Sequence, residues 1–180
     1  MSSFAISAIG RDRPGIVAAV SKVLLNHGVN IEDSQMTILR GHFTMMLVVS
    51  APEGTDAGAL RLELEQAATA LGLEAISLNS VVEADPHGEP EASHIVTVYG
   101  VDHPGIVHAV TSAMAEREVD ITDLNTRLVG EDQEKPLYAL MMEVALPAGV
   151  SPGQLERDLS AVSEEQGVEV SLRELEQETL

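Results

Sequence analysis

The sequence predicts an α+β fold made of two consecutive units of order βαββαβ, each an antiparallel sheet with its helices on one face. Three observations carry this. The stretch Gly10-Arg11-Asp12-Arg13-Pro14-Gly15-Ile16-Val17 is written again as Gly100-Val101-Asp102-His103-Pro104-Gly105-Ile106-Val107, an offset of 90 that Gly, Asp, Pro, Gly and Ile all keep. Each copy follows an apolar run of strand length and precedes apolar residues at helical spacing. Each is then followed by two more strand-like runs, a Leu-rich helical stripe and a glycine. One unit of about ninety residues has been duplicated, giving units at 1–82 and 94–180 joined by a polar, proline-containing linker at 83–93.

In order, Phe4 to Ile9 reads as a buried strand. Pro14 is expected in the first helical turn, where its missing N–H costs nothing, and Gly15 lets backbone or ligand approach closely. Ile16, Val20, Val23 and Leu24 form a helix stripe that Gly28 stops in a left-handed residue. Asn30 to Leu39 alternates as a strand, Met36 and Ile38 against Gln35 and Thr37; Arg40-Gly41 turns, and Phe43 to Val49 completes a hairpin. Thr55 or Asp56 caps a helix whose stripe is Leu60, Leu64, Ala67, Ala68 and Leu71; Gly72 ends it and Leu73 to Val82 is the last strand. The second copy repeats this with strand His94 to Tyr99, stripe Ile106, Val110, Ala113 and Met114, and hairpin strands Asp120 to Val129 and Leu137 to Leu146 around a turn about five residues longer. Ser151-Pro152-Gly153-Gln154 reads as a capping box with Pro at N1, Leu155, Leu159 and Val162 continue the stripe, and Val168 to Leu172 closes the unit. Two βαβ halves with a hairpin inside make a split, ferredoxin-like arrangement. Phe43 to Val49 and Leu137 to Met142 are apolar on both alternating sets, so the sheet face away from the helices is expected to be covered as well, by the other repeat or by another subunit.

The chain of 180 residues is 44% hydrophobic with no Trp, two Phe and two Tyr, so its core is aliphatic. With no Cys it has no disulfide, thiolate metal site or cysteine nucleophile, which fits a reducing compartment. The opening Met-Ser-Ser-Phe-Ala-Ile-Ser lacks the positive segment of a signal peptide, and no apolar run approaches the roughly 20 residues of a membrane span. A cytoplasmic protein without membrane contact is expected. The formal charge of −19, concentrated where residues 94–180 set seventeen acidic against five basic side chains, opposes direct nucleic-acid binding.

Asp-Arg-Pro-Gly-Ile-Val between first strand and helix, with Gly-Val-Asn-Ile before the second strand, resembles the ACT domain, and the resemblance covers the chain apart from the linker. Asn30-Ile31-Glu32-Asp33-Ser34 is similar to the same stretch in tandem-ACT regulators of the glycine cleavage system repressor type. The resemblance implies two ACT domains packed as a pair, strands near 31–39 and 121–129 meeting edge to edge, and a small effector, usually an amino acid, held at the paired interface. The contacts it implies are Asp12, Arg13, Pro14, Gly15 and Asn30 in the first copy and Asp102, His103, Pro104, Gly105 and Asp120 in the second. Amino-acid-sensing relatives commonly carry Asn where this chain has Asp12 and Asp102, and His where it has Gly10 and Gly100.

The chemistry fits. Helix-start amides suit a carboxylate, Asp12 or Asp102 an ammonium, and Asn30 either. The alternative is that both aspartates merely cap their helices. His94, His103 and His108 match no metal-ligand spacing, the paired Met45–Met46 and Met141–Met142 read as core or interface filler, and no catalytic or phosphate-loop motif occurs. A non-enzymatic regulator follows, without cofactor, sensing an amino acid and acting through a protein partner, with homo-oligomerisation possible. The alternative is an interaction or regulatory subunit of a metabolic enzyme with vestigial ligand sites.

Overall fold

The computed structural model describes residues 2–81, 90–129 and 136–175. The chain divides into two compact units that part between residues 86 and 87. Most of the expected linker, and the long hairpin turn except Pro136, lie outside the described residues.

The first unit runs β1 (Ser2–Arg11), α1 (Ile16–Asn26), β2 (Asn30–Leu39), β3 (His42–Ala51), α2 (Ala57–Leu71) and β4 (Leu73–Ser80). The second runs β5 (His94–Val101), α3 (Ile106–Ala115), β6 (Asp120–Val129), β7 (Leu137–Ala145), α4 (Pro152–Gln166) and β8 (Glu169–Glu174). The sheets are antiparallel, in strand orders β2-β3-β1-β4 and β6-β7-β5-β8. Each is thus the expected ferredoxin-like βαββαβ sheet, its first strand central and its second strand at an edge.

The helix stripes account for one sheet face. Ile16, Val20, Val23 and Leu24 of α1 and Leu60, Leu64 and Ala68 of α2 are buried, with Phe4, Ile6 and Ala8 of β1 and Phe43, Met45, Leu47 and Val49 of β3 on the sheet side. In the second unit Ile106, Val110 and Met114 of α3 and Leu155 and Leu159 of α4 close over Val96, Val98, Leu140, Met142 and Val144. Between Thr55 and Asp56 the structure chooses Asp56, whose Oδ1 accepts from the N–H of Gly58 (2.9 Å) and Ala59 (3.1 Å). Pro152 stands at N1 as expected, and Gln154 Oε1 accepts from the Ser151 N–H at 2.9 Å. Arg40 and Gly41 both have positive φ (51° and 84°), the backbone of a two-residue hairpin turn.

β2 departs from its alternation. All ten of its residues are exposed, because it is an edge strand beyond the reach of the helices, and a register shift between Ile31 and Asp33 interrupts its pairing with β3. β6 repeats both features, with the shift between Ile121 and Asp123. The faces away from the helices leave Met46 and Met141 54% and 52% exposed.

Candidate functional site

The repeated turn leaves the central strand of each sheet and enters the first helix. Its main chain is pinned: the Asp12 N–H donates to the Gly41 carbonyl and the Asp102 N–H to the Pro136 carbonyl, both at 2.9 Å. The N-cap residues are Gly15 (φ 99°) and Gly105 (φ 112°), and no side chain caps either helix. Two expectations are corrected here. Pro14 and Pro104 stand one residue before the cap rather than at N1, because the positive φ of the glycine turns the chain before the first helical residue. Asp12 and Asp102 cap nothing; both are exposed, and Asp102 lies within electrostatic reach of His103 and Tyr138. A turn with open helix amides and an exposed carboxylate offers one group for an anion and one for a cation.

Gly10 and Gly100, where amino-acid-sensing relatives commonly carry His, sit where a chain passes too close for any side chain. A Cβ at Gly10 would fall 2.9 Å from the Leu73 Cα, and one at Gly100 would fall 2.7 Å from the Val168 Cγ1. The departure from that pattern therefore has a packing cause.

Arg13 and His103 occupy the same place in the two turns and reach the same destination, the C-terminus of the unit's second helix. The Arg13 guanidinium lies over Gly72, the C-cap of α2, within 3.2 Å of where a Cβ would stand. His103 places Nδ1 3.1 Å from the Pro104 carbonyl oxygen and Nε2 2.9 Å from that of Gln166, the last residue of α4. Only the imidazolium can donate to both. The Gln166 carbonyl, then that of Pro104, raise the His103 pKa above its ordinary value of 6.5. A cation at a helix C-terminus is favourable, so both side chains fasten the turn to a helix end. The stability that His103 adds is fully present below pH 6.5 and is lost as pH rises through its raised folded value. The melting temperature of the second unit is accordingly expected to fall over that window, and to fall less in His103→Gln, as followed by scanning calorimetry between pH 5.5 and 9.

Asn30 and Asp120 begin their edge strands, and the register sets them far from the turn of their own unit. Asn30 pairs with Ser50, which pairs with Ser3, whereas the turn follows Arg11 at the other end of β1. At about 3.3 Å per residue, some 26 Å of strand separates them. Asp120 pairs with Ala145, next to the Val144–His94 pair, and again the turn lies beyond the opposite end of β5. Within one unit, therefore, the structure brings Asp12, Arg13, Pro14 and Gly15 together but not Asn30, and Asp102, His103, Pro104 and Gly105 but not Asp120. The physical reason is topological: α1 and α3 carry the chain back along the sheet before β2 and β6 begin.

One recurring pair had escaped the sequence reading. Arg117 Nε donates to Asp158 Oδ2 at 2.7 Å across α3 and α4, and the corresponding positions in the first unit place His27 Nε2 3.2 Å from Glu63 Oε1. The offsets of 90 and 95 between the repeats line these residues up, but not their chemical types.

Among the described residues no helix is long and apolar enough to cross a membrane. Residues 2–76 and 94–173 each match the ACT domain family. A protein of unknown function from Galdieria sulphuraria has a similar structure, with TM-score 0.80 and 31% identity over 97% of this chain and 98% of that one. A structure assigned as a glycine cleavage system transcriptional repressor is similar in fold, with TM-score 0.69 and 21% identity over 97% of both chains. In sequence the chain is 29% identical, over 96% of its length, to phosphoserine phosphatase SerB2 of Mycobacterium tuberculosis, of whose length it spans 41%. A UPF0237 protein of Methanopyrus kandleri is 44% identical over 77 residues, 42% of this chain and 86% of that protein. Two matched segments, each reaching into the last strand of one βαββαβ unit, show that the chain belongs to the ACT domain family of regulatory amino-acid-binding modules, of which it carries two.

Proposed function

We propose that the protein is a non-enzymatic, cytoplasmic regulator that binds an amino acid at its repeated turns and passes that signal to a protein partner. The observation that carries this is the pair of helix starts entered through Gly15 and Gly105, with no side-chain cap and with Asp12 and Asp102 exposed in the same turns. The helix amides take the carboxylate and the aspartate takes the ammonium. Asn30 joins the site from the first unit of a second copy: if the exposed edge of β2 pairs antiparallel with β2 of that copy, the start of one strand comes to the end where the other copy's Asp12 turn lies.

The test is a thermal-shift screen of the parent chain against the twenty amino acids. At a hundred times its dissociation constant a ligand stabilises the folded form by about 2.7 kcal/mol per site, a shift on the order of 10 °C for a module of this size. Asp12→Ala, Asp102→Ala and Asn30→Ala are each expected to lose part of the shift, and Asp12→Ala combined with Asn30→Ala to lose no more than the larger single change if those two residues share a site. A flat screen of the parent would refute the sensor reading. It would favour instead an interaction subunit with vestigial sites, for which Asp120, an acid in the place of Asn30, is the supporting observation.

A further inference from the structure

We propose that the open face of the second unit's sheet is the seat of a second copy of this chain, in a two-fold dimer packed sheet on sheet. The register of the four strands places the residues of this face in rows. Two of these rows end in charges and frame a rectangle, beyond which the row Val129–Leu137–Val101 continues the face. Asp123 of β6 and Arg173 of β8 close the row through Ile95, while Arg127 of β6 and Glu169 of β8 close the row through Tyr99. The four corners thus alternate in sign around the face, and among the described residues none of the four forms an ion pair. Such a checkerboard is self-complementary. A two-fold axis along the strands sets Asp123 over the partner's Arg173 and Arg127 over the partner's Glu169. An axis across the strands sets Asp123 over the partner's Arg127 and Glu169 over the partner's Arg173. Either way all corners meet opposite charges, and Glu143, one strand inward of Asp123, stays within diagonal reach of the same arginine.

The middle of the face is built to be covered. Tyr99 and Met141 are 44% and 52% exposed, and a hollow of about 500 Å³ lies among Tyr99, Arg127 and Met141, room for side chains from an opposing sheet. The polar atoms there already have partners: Thr97 Oγ1 and Ser171 Oγ hydrogen-bond at 2.6 Å, and Asn125 Nδ2 donates to Asp123 Oδ2 at 2.6 Å. Burial would therefore strand few donors. The first unit's open face keeps the hydroxyl pair, Ser7 with Ser77 at 2.8 Å, but its four corners are Asp33, Asn79, Thr37 and Ala75. That face carries Arg11 and His42 one row farther out but no rectangle of alternating charges, so it cannot meet Asp123, Arg127, Glu169 and Arg173 together, and a second copy of the second unit's face is the occupant the charges select.

Sedimentation equilibrium of the full chain tests this with two variants. Arg127→Glu with Arg173→Glu makes all four corners acidic, and Asp123→Arg with Glu169→Arg makes all four basic. Each variant alone is expected to sediment at half the parent's mass, and an equimolar mixture of the two is expected to recover the parent's mass, which also shows that both are folded. A parent of the same mass as the variants, variants that keep the parent's mass, or a mixture that stays at half mass would each overturn the proposal.

Discussion

Leu60→Ala is expected to lower the stability of the first unit by about 2–5 kcal/mol, because Leu60 is fully buried and truncation leaves a cavity that a strand-backed helix cannot close. For a unit of about ninety residues each kcal/mol is worth roughly 4–8 °C, so its transition should fall by at least about 8 °C. Leu155 holds the same place in the second stripe, is equally buried, and should give the mirror result. The two cores share no residue, so scanning calorimetry is expected to resolve two transitions, with only the truncated unit's moving. A single transition displaced as a whole by either variant would mean that the cores melt as one.

The second large effect is expected at Gly100. An alanine there would meet a β-branched side chain, the Val168 Cγ1 at 2.7 Å and Cβ at 3.1 Å, with the Val168 Cα behind at 3.2 Å. The central strand would have to separate from β8, at a cost of roughly 1–3 kcal/mol. Val168→Ala alone loses buried methyl groups, but combined with Gly100→Ala it removes the nearest obstacle. The pair should therefore be non-additive, the double variant losing less than the two single losses combined by about 0.5 kcal/mol or more in urea unfolding followed by circular dichroism. Additive losses would show that the backbone approach, rather than the valine, keeps position 100 glycine. At Gly10 the nearest atom is itself backbone, the Leu73 Cα, so no such rescue is expected there.

Element order and core were readable in the sequence because burial on one helix face leaves a periodic trace. Ile16, Val20, Val23 and Leu24, and Ile106, Val110 and Met114, are buried as their spacing predicts. The alternation marked β2 and β6 as strands, while their place at the edge came from the likeness to the ACT domain and not from the pattern. Ile31, Met36 and Ile38 look like core residues in a one-dimensional pattern and are exposed in the fold, since whether a strand lies under a helix depends on its place across the sheet. The turn was found by its repetition, yet the partners of Arg13 and His103 lie some sixty residues away, at Gly72 and Gln166, and no local pattern joins them. The separation of Asn30 from Asp12 was different: one intervening helix in a βαβ path returns the chain to the starting end of the sheet, so the element order already contained it.

The edge position of β2 has a consequence for the birth of the chain. The first unit's sheet closes when β4 is made, at Ser80, and β2 then stands at its edge while the second unit is synthesised. At roughly 5–20 residues per second residues 81–174 take on the order of 5–20 s. Throughout it the nascent chain displays ten exposed edge residues, Ile31, Met36, Ile38 and Leu39 among them, with their outer hydrogen-bonding groups unpaired. Neighbouring nascent chains on one messenger present the same edge at the same moment, so association during synthesis is expected to begin at β2.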